Sequence, residues 1–382
     1  MNKFVRRSAA ASALFSLLLA GSVSSGLAED PTANIDAATL VPDGIVGPSQ
    51  AGDLASDPAL AWLTDEECAE AKEKKFRIGI VMQTMNIEWS TEQVRGITDG
   101  LARCGGEVIA VTNPDFMVEK QIGQIDDMIL LRPDAIISIP VDDVATAASY
   151  RKVQQADIKL IMMDNVPSGL KHKEDYQTVV SSDSQGLGAV AALILDKYLP
   201  EGAEVGIITF GISFYVTNER TKGFKDKMAE IRPDVVLKEA PFLNPNDAGK
   251  VAESFLTANP KIAGLFTEWS APGLDSAAAA RGQGKDIPGV TINLEGDVAI
   301  EVAKGGMIKG LASQVPYDQG LTEANAAMKS LLGKVLPPFL AYAAVPVIQN
   351  NVLEGWDTVF HLPVPDDLQY ACSRNPICSG GE

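Results

Sequence analysis

The sequence predicts an α/β fold built from two doubly wound parallel-sheet lobes, and three observations lead to this prediction. Short apolar segments alternate with helical segments from Phe76 onward, as they do in repeated βα units. Many of the apolar segments are nearly continuous, which is typical of strands buried on both faces of a parallel sheet. The alternation extends past residue 308, which is too long for one open sheet and indicates two domains.

The elements fall into two series. In the first series, strands are predicted at 76–82, 107–112, 135–139, 160–163 and 178–181, with helices at 91–104, 118–131 and 145–156. In the second series, strands are predicted at 204–209, 234–238, 263–266, 290–293 and 309–313, with helices at 184–198, 217–231, 247–258, 272–282 and 297–303. A helix at 317–332 and an apolar segment at 345–348 follow, and periodicity assigns neither of them to a lobe.

The N-terminus is typical of a cleaved secretory signal. Basic residues at 3, 6 and 7 precede an apolar run at 8–19, which leads into the small residues around Ala28. A membrane anchor is the alternative, but the run is shorter than the roughly 20 residues that a span needs. We therefore expect a signal peptide at 1–28, and no later segment has the length and apolar character of a span. Since no cysteine lies near residue 28, lipid attachment is not expected there, and the mature protein is expected to be free in the periplasm.

The net charge excludes some kinds of binding partner, and the cysteine content predicts disulfides. The net charge of -18 predicts repulsion of nucleic acid and of anionic lipid. Four cysteines in an exported chain predict disulfides, because the compartment is oxidising. Three pairings are possible. We favour one pairing because two cysteines lie close together around a proline and the other two flank the first strand and helix. It joins Cys68 to Cys104 and Cys372 to Cys378.

The residue content argues against an enzyme. The chain has two histidines, His172 in a charged loop and His361 near the end, which leaves little for histidine-based acid/base catalysis or for a zinc site. Phosphate-binding, dinucleotide-binding and hydrolase motifs are absent from the sequence. Acidic pairs such as Asp142-Asp143 are interpreted as solvated surface. We expect no catalytic residues, no metal and no cofactor.

Several short motifs, in this order and spacing, resemble those of one known family. They are Thr84-Met85-Asn86 with Trp89, Ile139-Pro140, Met163-Asp164, Ser182-Asp183, Asn218-Glu219-Arg220 with Gly223-Phe224, Phe266-Thr267-Glu268-Trp269, Leu294-Glu295-Gly296 and Ser313-Gln314-Val315-Pro316. The family is the type I periplasmic binding proteins of sugar importers, and the chain is most similar to its ribose-binding branch. The resemblance spans nearly all of residues 76–350.

The resemblance implies two lobes joined by a three-strand hinge, with the ligand between the lobes. The implied N-terminal lobe is 76–181 plus 315–344, and the C-terminal lobe is 183–313 plus 345–360. Residues 29–75 are then an N-terminal arm with a short helix, and 361–382 a C-terminal tail. The implied role is that of a monomer that delivers a sugar or polyol to the permease subunits of an ABC importer. A role as the ligand-sensing partner of a chemoreceptor or sensor kinase is the alternative, since one fold serves both. The related transcription repressors are disfavoured by the export signal.

Strand ends supply the candidate ligand-binding residues. Ligands of open α/β sheets bind outside the carboxyl ends of the strands, and sugars need aromatic faces as well as charged or amide partners for their hydroxyls. The two tryptophans supply the faces, and the other residues, several of them taken from the resemblance, supply polar groups. The set is Trp89, Ser90, Asp164, Asn165, Asn218, Arg220, Trp269, Glu295 and Gln314.

Several of these residues also have a structural interpretation. A tryptophan after a strand often packs at the edge of a lobe, and Asp164 is suited to a turn or a helix cap. In the structural interpretation, Arg220 pairs with Glu219 on a helix surface, and Glu295 only ends a strand.

The sequence also departs from the ribose-binding pattern. Ile87, Ile139 and Trp269 stand where that branch carries ligand-binding asparagines, and Glu295 is one methylene longer than the usual aspartate. These differences favour a ligand with fewer hydroxyls or with a deoxy or methylated face. A ligand carrying an amine is the alternative, because Glu88 and Glu268 also lie near the predicted site.

Overall fold

The structure is a computed structural model that describes residues 30–212 and 214–379. The predicted signal peptide at 1–28 therefore lies outside the described residues. The strands are β1 (Arg77–Val81), β2 (Glu107–Thr112), β3 (Ala135–Ser138), β4 (Lys159–Met163), β5 (Thr178–Ser182), β6 (Glu204–Phe210), β7 (Val236–Phe242), β8 (Ile262–Thr267), β9 (Gly289–Ile292), β10 (Ile308–Ser313), β11 (Phe339–Tyr342) and β12 (Val345–Ile348).

Helices connect these strands along the chain. They are α1 (Asp65–Lys74), α2 (Glu88–Arg103), α3 (Val118–Leu130), α4 (Ala147–Gln155), α5 (Ser184–Asp196), α6 (Tyr215–Ile231), α7 (Ala248–Ala258), α8 (Ser270–Gly282), α9 (Gly296–Ala303), α10 (Pro316–Leu331), α11 (Val352–Phe360) and α12 (Asp366–Ser373). None of the described helices is both long and apolar enough to cross a membrane.

The strands form two six-stranded sheets, which confirms the predicted fold class. The first has the order β11-β5-β4-β3-β1-β2 and is parallel throughout. The second has the order β12-β10-β9-β8-β6-β7, and there only β12 runs antiparallel, against β10. Every residue of β3 and β5 is buried, in keeping with central strands that are covered by helices on both faces.

The chain passes between the sheets three times. It crosses after β5, again between β10 and α10, and finally between β11 and β12. Strand β11 was not predicted, because its four residues carry little periodicity and pair with β5, which is more than 150 residues away in sequence. Strand β7 begins at Val236, two residues later than the prediction of 234–238. The reason is local, since Arg232 and Asp234 form an ion pair at 2.8 Å that holds the preceding residues in a turn.

Helices α5 and α6 pack closely because glycines lie at their contact. A Cβ on Gly188 would lie 2.0 Å from the backbone oxygen of Arg220, and a Cβ on Gly223 would lie 2.0 Å from the backbone oxygen of Gln185. The backbones can approach this closely only without side chains at these positions. The contact fixes α6 against the lobe and thereby sets the position of Arg220.

The arm at 31–63 first follows the second lobe. The Asn350 side chain donates a hydrogen bond to the backbone oxygen of Ile35 at 2.9 Å. The backbone N–H of Val46 then donates to the carboxylate of Asp183 at 2.6 Å, at the first crossing between the sheets. The arm is therefore held by specific bonds, although its sequence has no periodicity.

The arm next reaches the first lobe. The side-chain oxygen of Gln50 accepts the backbone N–H of Val166 at 3.0 Å. The backbone N–H of Ser56 donates to the carbonyl of Phe339 at 2.9 Å, so the arm pairs with the edge strand β11 and partly covers it. Residues of one short segment thus bond to both lobes.

Two disulfides are present, and both follow the pairing that the sequence favours. Cys68 of α1 is joined to Cys104 at the end of α2, and Cys372 of α12 is joined to Cys378. The first disulfide fastens α1 to the first lobe, and the second closes a short loop in the C-terminal tail. The described part of the chain has no free cysteine.

Candidate functional site

A cavity lies between the carboxyl ends of the two sheets. It contains about 450 Å³ of empty space, part of which is open to solvent. It adjoins a second cleft with about 1270 Å³ of empty space. The described residues that line the cavity are Gln83, Ile87, Trp89, Phe116, Ile139, Asp164, Phe210, Phe214, Val216, Thr217, Arg220, Trp269 and Asn293.

Strand ends bring most of these side chains together. In the first lobe, Gln83, Ile139 and Asp164 follow β1, β3 and β4, respectively. In the second lobe, Trp269 and Asn293 follow β8 and β9. Because parallel strands end at the same edge of a sheet, residues far apart in sequence converge on one space between the lobes.

Asp164 is held in a fixed orientation in the cavity wall. It has a left-handed backbone with a φ of 52°, which aspartate tolerates better than most residues. Its carboxylate accepts hydrogen bonds from the Ser181 hydroxyl at 2.8 Å and from the side-chain amides of Gln314 and Gln319 at 3.2 and 3.4 Å. Burial raises the pKa of Asp164, and the positive charge of Arg220 together with these three donors offsets part of that rise.

Arg220 presents a cation to the cavity from α6. Its side chain is 4% exposed, and one terminal nitrogen donates to the backbone oxygen of Glu268 at 3.0 Å. Its Nε has no hydrogen-bond partner among the described residues. Burial lowers the pKa of Arg220, and the carboxylates of Asp164 and Glu268 act in the opposite direction. The guanidinium stays charged and has a donor available for a ligand.

Glu268 is a buried carboxyl group behind the cavity. Its two oxygens accept the backbone N–H of Phe210 and the hydroxyl of Thr221, both at 2.6 Å. Burial raises the pKa of Glu268 to about 7, although the two donors and nearby Arg220 act to lower it. Glu268 therefore holds Phe210 and the backbone next to Trp269 in place, and it does not line the cavity.

The raised pKa of Glu268 predicts a protein that loses stability as the pH rises from about 4.5 to about 7. In this window the folded chain keeps a proton that the unfolded chain has released, so the free energy of unfolding falls with rising pH and levels off above it. The contribution is at most about 3 kcal/mol. We expect Glu268→Gln to reduce the difference in Tm between pH 5 and pH 8. Other buried carboxyl groups contribute to the remainder, among them Asp143 and Glu295, whose pKa values burial raises to about 7, and Glu323, whose pKa burial raises well above its usual value. An unchanged difference in Tm would contradict the assignment.

Four apolar residues form the boundary between the cavity and the second cleft, and we call them the apolar collar. They are Ile87, Phe116, Phe210 and Trp269, which line both spaces. The ring centroids of Phe210 and Trp269 lie 5.4 Å apart, and those of Phe116 and Phe210 lie 6.5 Å apart, both in edge-to-face geometry. Since Phe116 belongs to the first lobe and Phe210 to the second, the collar spans both lobes.

Trp89 and Gln314 form a connected pair beside Asp164. The Trp89 side chain lines the cavity, and its indole N–H donates to the side-chain oxygen of Gln314. Gln314 lies at the crossing between β10 and α10 and does not itself line the cavity. Its amide group links Trp89 to Asp164, so it orients two cavity residues from the crossing segment.

Glu295 lies at a contact between the lobes outside the cavity lining. One of its oxygens accepts the Ser270 hydroxyl at 2.5 Å, and burial raises the pKa of Glu295 to about 7. Across the contact, the carboxylate of Glu88 accepts the backbone N–H of Gly296 at 2.8 Å. Glu295 therefore takes part in lobe-to-lobe contact near the site.

Three other residues of the predicted set do not line the cavity. Ser90 is fully buried in α2, and Asn218 is exposed on α6. Asn165 accepts the backbone N–H of Val216 at 3.1 Å and so bonds across the lobes. Residues 217 and 220 of α6 share one face because they are three positions apart, and that face meets the cavity, so Thr217 lines the cavity where Asn218 was predicted.

The predicted set lacks several lining residues, namely Gln83, Phe116, Phe210, Phe214, Val216, Thr217 and Asn293, although the resemblance had already placed apolar Ile87 and Ile139 at ligand positions. Phe116 follows β2 and Phe210 ends β6, so the strand-end rule that selected Asp164 also applies to them. The prediction passed over them because a phenylalanine after a strand usually belongs to the core. The described residues contain no cluster of three or more side chains suited to a metal ion.

Comparison with known proteins gives consistent matches. A family model described as periplasmic binding protein domain matches residues 78–334. The chain is 26% identical over 262 residues to the ribose import binding protein of Bacillus subtilis, covering 68% of this chain and 83% of the relative. It is 25% identical over 272 residues to the D-ribose/D-allose-binding protein of Pseudomonas aeruginosa, covering 70% and 85%.

A solved structure shows the same fold. It is an ABC transporter solute binding protein from Agrobacterium vitis bound with alpha-D-tagatopyranose, with a TM-score of 0.70 and 24% identity. The match covers 76% of this chain and 100% of that one. The arm at 31–63 precedes the segment that the family model matches.

Proposed function

Because this chain belongs to the family of periplasmic binding proteins, we propose that it is the substrate-binding component of an ABC importer and takes up a sugar or polyol between its lobes. The family consists of binding proteins and not of enzymes. The observation that carries the proposal is the cavity in which buried Asp164 and Arg220 lie beside aromatic side chains. Charged hydrogen bonds and aromatic faces together are what a hydroxylated ring requires. The names of the two relatives, which state ribose and allose binding, support the same ligand class.

The proposed ligand contacts are Asp164, Arg220, Trp89 and Trp269. Asp164 accepts from hydroxyls, Arg220 donates to them, and the two indole rings face the C–H surface of the ring. Gln314 keeps Asp164 and Trp89 in position from the crossing segment. Trp89 and Asp164 belong to the first lobe, and Arg220 and Trp269 belong to the second, so a ligand must touch both lobes to satisfy them.

Binding is proposed to couple to closure of the lobes. The two bodies are 76–181 plus 315–344 and 183–313 plus 345–360, and the three crossings act as the hinge. The closed protein then docks as a monomer on the permease subunits in the periplasm, after removal of residues 1–28. A ligand that bridges the lobes favours the closed form by its contacts to both.

A thermal-shift and calorimetry screen tests the proposal. We expect one sugar or polyol to raise the Tm, because a ligand at 100 times its Kd stabilises the folded state by about 2.7 kcal/mol. Deletion of the gene should abolish uptake of the same radiolabelled solute by cells, and a plasmid copy should restore it. No rise in Tm across a broad panel of pentoses, hexoses, deoxy sugars and polyols, with no small molecule co-purifying, would contradict the proposal.

A further inference from the structure

Residues 46–50 of the arm bond to both lobes, and we call them the strap. The backbone N–H groups of Val46 and Gly47 donate to the two carboxylate oxygens of Asp183, at 2.6 and 2.9 Å. Asp183 is buried at the first crossing between the sheets, where its carboxylate also accepts the backbone N–H of Gly186 at 2.9 Å. The strap is therefore fixed at one end to a segment that connects the lobes.

The strap next bonds to each lobe in turn. The backbone oxygen of Pro48 accepts the hydroxyl of Tyr215, the first residue of α6, at 2.9 Å. Two positions later, the side-chain amide of Gln50 donates to the carboxylate of Asp143 at 3.2 Å and accepts the backbone N–H of Val166 at 3.0 Å. Tyr215 belongs to the second lobe, and Asp143 and Val166 belong to the first. Bonds to opposite lobes thus come from strap residues only two positions apart.

This short separation limits how far the lobes can move apart while the strap stays bonded. Two residues span at most about 7 Å even when fully extended. A turn follows at once, in which the backbone N–H groups of Ala51 and Asp53 donate to the hydroxyl of Ser49 at 3.1 and 3.0 Å. Because this turn leaves little slack, opening of the lobes has to break either the bond of Pro48 or the bonds of Gln50.

The arm is also fastened on both sides of the strap, to different lobes. Before the strap, Leu40 is buried in the core of the second lobe. After the strap, the indole N–H of Trp62 donates to the hydroxyl of Thr322 on α10 at 3.3 Å. A strap that detaches is therefore kept nearby, and its bonds can form again within the same molecule.

The strap adjoins the wall of the ligand cavity. Strap residues 47–50 and Asp164 line one small space, and Asp164 also lines the cavity itself. A Cβ on Gly47 would lie 3.1 Å from a carboxylate oxygen of Asp183 and 3.2 Å from the Cβ of Gln185, so a glycine at this position allows the strap to sit close to the crossing. The strap therefore lies next to a residue that is proposed to bind the ligand.

We propose that the strap holds the two lobes together before a ligand binds, so that the ligand meets a site whose two halves are already close. This inference rests on the lobe closure of the proposed function, and it assigns a role to a segment that precedes the match to the family model. The apparent Kd equals the intrinsic Kd divided by the fraction of molecules in the binding-competent form. A strap that raises this fraction therefore strengthens binding.

Spin-label distance measurements on the mature protein, dialysed free of ligand, test the inference. The described residues contain no free cysteine, so Glu119→Cys and Lys250→Cys, at exposed positions near the starts of α3 and α7, place one label on each lobe. Gln50→Ala and Tyr215→Phe together remove the side-chain bonds between the strap and both lobes. We expect this double variant to lengthen the mean label distance by more than about 2 Å, the size of a domain rearrangement.

Gln155→Ala is the matched control, because Gln155 is exposed at the end of α4 in the first lobe and lies outside the strap. This variant should leave the label distance unchanged. Circular dichroism checks that each variant is folded. If the double variant does not fold, each single strap variant is expected to show a smaller lengthening, and unchanged distances in both would overturn the inference.

The test separates the strap from the proposed function, because it needs no ligand. Equal label distances in the folded double variant and in the protein with an intact strap would overturn the inference, and the proposed function would stand if a sugar or polyol still raised the Tm. A longer distance in the double variant would support the inference even if no sugar or polyol bound, and in that case only the proposed function would fail.

Discussion

Replacement of Arg220 by methionine is expected to weaken ligand binding by about 100-fold or more. Hydrogen bonds to a charged group contribute about 1.5–3 kcal/mol each, and each 1.4 kcal/mol corresponds to a factor of ten in Kd. The substitution also leaves the carboxylate of Asp164 buried without its neighbouring cation, which further disfavours the closed site. Calorimetry with the ligand that the wild type binds measures the effect.

Lys222→Met is the matched control for this prediction. Lys222 lies two positions away on the same helix, is about half exposed, and pairs with Asp226 on the surface at 2.5 Å. Since exposed ion pairs contribute about 0–1 kcal/mol, this variant should keep its affinity and nearly all its stability. An Arg220→Met protein that retains its circular dichroism spectrum and binds within about threefold of wild type would contradict the assigned role.

Replacement of Gly223 by alanine is expected to lower the free energy of unfolding by about 2–4 kcal/mol. Forcing extra carbon into a well-packed contact typically costs 1–3 kcal/mol and sometimes more. The new Cβ would lie 2.0 Å from the backbone oxygen of Gln185, so α5 and α6 must separate. Because α6 carries Arg220, ligand affinity should fall as well. Urea denaturation monitored by circular dichroism measures the stability change.

Gly123→Ala provides the contrast. Gly123 lies inside α3, and a Cβ there would meet nothing within 4 Å. Alanine favours the helix by about 0.5–1 kcal/mol over glycine, so this variant should be slightly more stable than wild type and should bind ligand equally well. If both alanine variants changed stability by the same amount, close helix packing at Gly223 would not be the cause.

The fold could be predicted from the sequence wherever periodicity is strong. The strand at 107–112 and the apolar segment at 345–348 match β2 and β12 at both ends. Gly105-Gly106 and Asn113-Pro114 bound the first, and Gln349 follows the second. Strand β11 could not be predicted, since Phe339–Tyr342 gains its strand conformation by pairing with β5 and with Ser56 of the arm.

Only part of the site could be predicted from the sequence. The strand-end rule identified Asp164 and Trp269 because polar or tryptophan side chains there are conspicuous in the sequence. The family resemblance supplied Asn218 in place of Thr217, because the side of a helix that faces a cavity depends on where the helix begins and how it packs. Helix α6 begins at Tyr215, and its rotation is set by the glycine contact with α5.

The sequence by itself determined the alternation of strands and helices and the division into two lobes. These properties depend on neighbouring residues, whose spacing fixes local conformation. Only the tertiary structure decided that the arm bonds to both lobes, that the apolar collar faces a cavity, and that burial holds the pKa of Glu268 near 7. The physical reason is that exposure, charge environment and cavity shape arise between residues that are distant in the chain and meet only when the lobes are assembled.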